Sequence, residues 1–270
     1  MRLIKIGGGQ AINLEGLAMD LSSRSQDTVI VLGAHDARDE LHAALSHEKR
    51  TVRSPSGMES VVTDDVMIGS IAMAYAGLRA CQVVETLQRH GVNACHLSGM
   101  DGGLIRGTRK RGIRIQENDR TVLLPDRSAK PSEVNTSLLL SLVEAGIVPV
   151  ITIPIMDEQG MAMNCDNDAI IQRLCETMPI GEVIQLIEAP GLLMDIQDPE
   201  SRMAEVSEVD IELLYHQVQG GMKRKLHVIR QMLKASDAVI HLWDGRVDRP
   251  LSQQIGTRIE RSFHASHCES

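Results

Sequence analysis

Short, nearly all-apolar runs recur along this chain with helical patterns between them, and this alternation narrows the fold more than any other feature. The runs are Leu3–Ile6, Thr28–Leu32, Ala94–Leu97, Val148–Ile153, Val183–Ile187 and Ala238–Leu242. Several are apolar at every position, which suits strands buried on both faces of a parallel sheet. Helical spacing marks Val66–His90, Val134–Ala145, Asp168–Thr177 and Met222–Lys234. Strands and helices taking turns predict an α/β fold with a mostly parallel sheet and helices on both sides. One stretch breaks the rhythm. Arg111–Leu124 alternates apolar and polar residues around Glu117, Asn118 and Asp119, the pattern of an antiparallel hairpin inserted in the frame. The polar tail from Arg261 to Ser270 is expected to fray.

At 270 residues and 43% hydrophobic, the chain can bury one large α/β unit or two packed lobes. A formal charge of −8 gives the whole molecule no electrostatic reason to bind nucleic acid or an anionic membrane. The only aromatic rings are Phe263, Trp243, Tyr75 and Tyr215, too few for a base-stacking platform. No apolar run approaches the ~20 residues of a bilayer span, and the start lacks a signal-peptide pattern. Cys81, Cys95, Cys165, Cys175 and Cys268 are scattered and never spaced C-x-x-C. Neither a disulfide framework nor a zinc site is expected, and a cytoplasmic setting is the natural reading.

Ligands of open α/β sheets sit beyond the carboxyl ends of the strands. The turns there are rich in Gly, Asp and Ser: Gly7–Gly9, "GAHD" at 33–36, "SGMDGG" at 98–103, "EAPGLL" at 188–193 and "WDGR" at 243–246. The first fits neither G-x-x-x-x-G-K-S/T nor G-x-G-x-x-G, since Ile12 takes the last position of the latter. Such a turn can simply reverse the chain. Lys5 is more informative, because an unpaired ammonium inside an apolar strand is costly to bury. Either it reaches the surface, or it points at an anion beside the glycine amides.

In "MNCDNDAI", 163–170, helix capping explains one of Asp166 and Asp168 but not easily both. "GGMKRKL", 220–226, sets Lys223, Arg224 and Lys225 in a first helical turn, where cations are locally unfavourable: either something anionic compensates, or the run is a solvated basic face. The cluster "RGTRKRGIR", 106–114, is basic on an acidic chain: a solvated loop, or a docking patch for an acidic partner.

Together these elements resemble the amino acid kinase family along nearly the whole chain. "KIGGG" (5–9), "VLGAHD" (31–36), "HGVNACHLSGMDGGLIRG" (90–107), "LLLSLVEAGIVPVI" (138–151), "MNCDND" (163–168), "APGLL" (189–193), "GGMKRK" (220–225) and "DGRVDRPL" (244–251) carry the match. Within the family the chain looks most like the kinases of lysine biosynthesis. Those kinases phosphorylate the side-chain carboxylate of an aminoadipate or glutamate held by its amino group on a small acidic carrier protein.

The resemblance implies a three-layer αβα sandwich. It implies an N-terminal lobe, 1–177, for the acceptor and for homodimerisation, and a C-terminal lobe, 178–270, for ATP. It makes Lys5 and Lys225 the lysines that stabilise the transferring phosphoryl group, and Asp168 the aspartate that orients them. Gly7, Gly8, Glu188, Gly191, Met222 and Lys223 fall to the nucleotide; Gly33, Ala34, Val61, Asn164 and Asp166 fall to the acceptor. Arg106, Arg109, Lys110 and Arg111 would dock the carrier. Mg2+ would be held mainly by the nucleotide, with no protein metal site. A carboxylate acceptor, with a pKa of about 4.3, is already ionised near neutrality and needs no general base.

The pattern departs from the family at the acceptor side. Ala34 stands where the second turn usually has glycine. Val61 stands where an arginine usually grips the acceptor's α-carboxylate, and Arg79 is a candidate substitute from another direction. Two alternatives are a kinase of a free metabolite, such as acetylglutamate or a small phosphonate, and a non-catalytic nucleotide-binding regulatory homologue.

Overall fold

In the computed structural model the described residues are 1–53, 59–117, 120–195, 197–217 and 220–261; the side chains of 53, 59, 116, 117, 217 and 220–225 lie outside that description. The chain opens with β1 (Arg2–Ile6), α1 (Leu14–Leu21), β2 (Thr28–Leu32) and α2 (His35–Ala44). A short pair, β3 (Thr51–Arg53) and β4 (Glu59–Val61), leads to one continuous helical stretch. This runs as α3 (Asp65–Ala72), a π-helical segment Met73–Ala80, and α4 (Cys81–Arg89). Next come β5 (Ala94–Ser98), β6 (Ile105–Arg109), β7 (Ile113–Glu117), β8 (Arg120–Leu124) and β9 (Ala129–Val134). Then follow α5 (Thr136–Glu144), β10 (Val148–Thr152), β11 (Ile155–Met156), β12 (Ala162–Met163) and α6 (Asn167–Thr177). The rest is β13 (Glu182–Ile187), β14 (Glu205–Ser207), α7 (Glu208–Gln217), α8 (Gly220–Ala235), β15 (Val239–Asp244), α9 (Pro250–Gln253) and β16 (Gly256–Glu260).

Eight strands form one sheet in the order β14-β16-β15-β13-β1-β2-β10-β5. Neighbours are parallel except β15 and β16. All six apolar runs of the sequence lie in it. Side chains alternate along each strand, so Leu3, Val29, Val31 and Val183 face one core layer while Ile4, Ile6, Ile30 and Ile184 face the other. The first layer is closed by α6 and α8 through Ile170, Leu174, Leu226 and Ile229. The second is closed by α1 and α4 through Leu17, Leu21, Val83 and Leu87. Burying each such Leu or Ile stabilises the fold by about 1.5–3 kcal/mol. The three layers are therefore helix, sheet, helix, and Lys5 shares the phase of Leu3, on the side of α6.

A second sheet, β12-β11-β6-β9, sits apart from the first, and β7 pairs with β8 as the expected hairpin, Ile113 opposite Leu124 and Glu117 opposite Arg120. One helix starts later than the sequence expectation. Val134 ends β9, and the Asn135 side chain caps α5 by accepting from Leu138 N at 3.2 Å, so that helix starts at Thr136. The helical stretch Asp65–Arg89 is also apolar and long enough to cross a bilayer by length and composition alone. Gly69, Ser70, Gly77 and Arg79 interrupt it, so no single apolar run marks it in the sequence. Met67, Ile68, Ile71 and Ala74 on that stretch pack into the first core layer.

At the amino ends of the strands, Glu182 accepts from Arg2 Nε at 2.7 Å and lies 3.4 Å from His241 Nε2. Hydrogen bonding to His241 and the Arg2 guanidinium outweigh burial, and hold the Glu182 carboxyl down to about 2.

Candidate active site

The site grows from the carboxyl end of β1. Past Ile6 the chain turns, with Gly7 N donating to Leu186 O at 3.0 Å. The turn after β2 closes on it: Gly33 N donates to Ile6 O at 2.9 Å and Asp36 N to Gly8 O at 3.3 Å. The two turns touch so closely that side chains are excluded. A Cβ at Gly8 would lie 2.1 Å from His35 Nδ1, and one at Gly33 would lie 2.7 Å from Gly8 N. Among the described residues, neither the Gly8 nor the Gly9 amide donates a hydrogen bond. These N–H groups border the cavity, where an anion would satisfy them.

Lys5 resolves the ambiguity of its strand. Its Nζ contacts Asp168 Oδ1, with the two side chains 19% and 21% exposed. The partial burial of this charge is thus compensated by an opposite one. Asp166 is the cap: its carboxylate accepts from Asp168 N at 3.1 Å and starts α6. Capping therefore takes one aspartate and Lys5 the other. Asn167 Nδ2 bonds Leu32 O at 3.2 Å, tying the start of α6 to the end of β2.

Beside this pair opens a cavity of about 760 Å3. Lys5, Gly8, Gly9, Gly33 and Glu188 line it on the strand side. Val61, Thr63, Asp126 and Asn164 line the opposite side, together with Lys110 and Gly112 from the β6–β7 connection and Ile113 at the start of β7. That side is cross-linked: Asp126 accepts from Thr63 N at 2.7 Å, and Asn164 Nδ2 donates to Thr63 Oγ1 at 2.9 Å. Cys165 also lines the cavity, but burial pushes its thiol up to about 12, so it is no nucleophile near neutrality.

The cavity gathers Lys5, Gly7, Gly8, Gly33, Val61, Lys110, Asn164, Asp166 and Glu188, and Asp168 joins through Lys5. The other expected residues lie elsewhere. The Ala34 methyl is fully buried in the first core layer, so the extra carbon faces protein and leaves the cavity its width. Gly191 has φ +135°, and a Cβ there would lie 2.7 Å from Thr257 Oγ1, so this glycine serves a turn packed on β16. Arg106 and Arg109 are exposed on β6 and Arg111 just beyond it, next to Lys110 but outside the cavity lining. Met222, Lys223 and Lys225 lie on α8, and their side chains fall outside the described residues.

Arg79 lines a different cavity, of about 520 Å3, across the Gly8–Gly9 segment, and donates to Gly9 O at 3.4 Å. Desolvation lowers its pKa, against the pull of Glu188 and Asp36. Glu188 in turn accepts from Ala11 N at 2.7 Å, folding its carboxylate over the glycine turn. Sequence reasoning missed Arg38, Tyr75, Thr63 and Asp126, all of which line the main cavity. No motif marks them, and Arg38 sits in "HDARDELHAA", which reads as an ordinary solvated helix.

A lysine steadied by a carboxylate, next to glycine amides with no other acceptor among the described residues, suits the neutralisation of a phosphoryl group in transfer. The class so defined is an ATP-dependent kinase on an αβα frame. The chain belongs to the amino acid kinase family, which it matches over residues 1–244. It is 32% identical over 259 residues to a LysW-aminoadipate kinase of Deinococcus radiodurans, covering 94% of this chain and 89% of the relative. A LysW-aminoadipate kinase of Thermus thermophilus is 33% identical over 261 residues, covering 94% and 97%. An acetylglutamate kinase of Methanopyrus kandleri is 30% identical over 252 residues, covering 92% and 97%.

The fold is shared with an N-acetylglutamate synthase from Neisseria gonorrhoeae in complex with coenzyme A and N-acetyl-glutamate. That likeness has a TM-score of 0.76 at 18% identity, over 97% of this chain and 59% of that one. It is shared too with the Giardia carbamate kinase, at a TM-score of 0.65 and 14% identity over 97% and 99%.

Proposed function

We propose that this protein transfers the γ-phosphoryl group of ATP to the side-chain carboxylate of a glutamate- or aminoadipate-type amino acid carried by its amino group on a small acidic protein. A carboxylate oxygen attacks the γ-phosphorus, the bond to the β-phosphate oxygen breaks, and an acyl phosphate and ADP result. The acceptor is ionised near neutrality, so no proton has to be removed. Lys5, with Lys225, neutralises the charge on the transferring group; Asp168 holds Lys5, and the Gly8 and Gly9 amides take phosphate oxygens. Mg2+ would travel with the nucleotide phosphates. Among the described residues no group of three or more His, Cys, Asp or Glu side chains is suited to a metal ion. In this reading residues 1–177 receive the acceptor and form a homodimer, residues 178–270 hold the nucleotide, and the enzyme works in the cytoplasm.

The observation that carries the carrier-linked reading is Lys110. It belongs to the basic 106–114 cluster and also lines the cavity that holds Lys5 and Asn164. An acidic protein docked on Arg106, Arg109 and Arg111 would have its attached amino acid at that mouth. The names of the Deinococcus and Thermus relatives support the same acceptor class. The test is acyl phosphate formation, trapped with hydroxylamine, on carrier-linked and free N-acyl glutamate and aminoadipate. Turnover of the carrier-linked form is expected. Charge reversal at Arg109 and Arg111 should raise its KM about 10-fold or more and leave ADP affinity unchanged. Turnover of the free acid alone would replace the carrier reading with a free-metabolite kinase. Nucleotide binding without any transfer would favour the regulatory homologue.

A further inference from the structure

An N-linked dicarboxylic amino acid brings two carboxylates into the cavity. One is phosphorylated beside Lys5, and the other needs a partner of its own, because an unpaired buried carboxylate is costly. Val61 lines the acceptor side and offers no charge. Among the described residues, the cations that line the cavity are Lys5, Lys110 and Arg38. Lys5 is held by Asp168, and Lys110 is exposed at the mouth.

Arg38 is different in kind. Its side chain is only 14% exposed, and Asp39 Oδ1 accepts from its Nε at 2.7 Å and stands 2.6 Å from its Nη2. Lys49 Nζ bonds the other Asp39 oxygen at 2.8 Å. Burial pushes the Asp39 carboxyl up, but the hydrogen bonds from Lys49 and Arg38 more than offset this and keep it below the usual range. Two cations around one carboxylate leave the group net positive. Among the described residues no hydrogen bond engages Arg38 Nη1. A planar guanidinium fixed along one edge, with its other edge unengaged in a cavity wall, is preorganised for a carboxylate.

We propose that Arg38 grips the carboxylate of the acceptor that is not phosphorylated, supplying from α2 the charge that position 61 lacks. This rests on the acceptor class argued above. Asp39 and Lys49 are then positioning residues, which hold the guanidinium without touching the acceptor.

The experiment compares wild type, R38M, R38K and R38M/V61R on carrier-linked glutamate and on its α-carboxamide, with hydroxylamine trapping. It adds calorimetric binding of N-acetylglutamate and its α-amide, and circular dichroism to verify folding. R38M is expected to raise the acceptor KM about 10- to 100-fold while KM for ATP stays put. R38K, which keeps the charge without the fork, should fall between. Wild type should prefer the carboxylate to the amide in both turnover and binding, and R38M should lose that preference. Placing an arginine at 61 in the R38M background should restore part of it. An acceptor KM unchanged in folded R38M and R38K would overturn the assignment alone. A wild type that neither binds nor phosphorylates either diacid would overturn the acceptor class and the Arg38 role together.

Discussion

The pair Lys5–Asp168 spans 163 residues of sequence and carries the proposed chemistry of the site. Lys5 was legible because a lysine in an apolar strand demands a reason. Asp168 was legible because a cap needs only one of two nearby aspartates. Arg38 was not, since its meaning depends on which way α2 faces and on Asp39 and Lys49 fixing its guanidinium. Replacing Lys5 by Ala or Asp168 by Asn is expected to lower kcat by about 10²–10³, the scale of losing one preorganised electrostatic contact. ADP affinity should change far less, which separates transition-state stabilisation from nucleotide binding. Equal losses in both would assign the pair to binding alone.

Among the elements, the strands buried on both faces were the easiest to read. β2 and β10 each carry five consecutive buried residues, which reads as an apolar run bounded by turns. The small sheet stayed hidden for the opposite reason. β11 and β12 have two residues each, β6 reads Ile-Arg-Gly-Thr-Arg, and β9 carries Pro131, so none of them shows a period. The register shift at Arg106 and Gly107 further blurs the alternation.

The Arg2–Glu182–His241 cluster clamps the starts of β1 and β13 to β15, and it makes that junction pH-dependent. Glu182 has a folded pKa of about 2, depressed from 4.5. Its stabilisation is therefore complete above the unfolded value and is lost as pH falls toward the folded one. Glu182→Gln should lower Tm near neutrality, with the gap to wild type closing as melts are taken to about pH 2. A gap constant across that range would mean that the cluster is held by packing rather than by charge.

At the scale of the whole molecule, charge is unevenly spread. The chain is net acidic, yet the edge beside the cavity carries Arg106, Arg109, Lys110 and Arg111. Exposed charges act over a Debye length of about 8–10 Å at physiological salt. For a carrier-linked acceptor, KM is thus expected to rise several-fold as salt goes from about 0.01 M to physiological strength, with kcat steady. A free N-acyl amino acid should show little of this dependence. Matching salt profiles for the two acceptors would count against a docked acidic protein.

Lys5 lies on a seam. β1 is hydrogen-bonded on one side to β2, which is made within the next few dozen residues, and on the other to β13, which begins at Glu182. During synthesis the strand bearing Lys5 therefore waits, one edge open, until most of the chain has emerged. Such an edge is a template for pairing with other chains, and long-range parallel pairing is slow to form. The strand that carries the cavity's lysine is thus also where the nascent chain is most exposed to misassembly, and production of soluble protein should be limited by how fast β13 arrives.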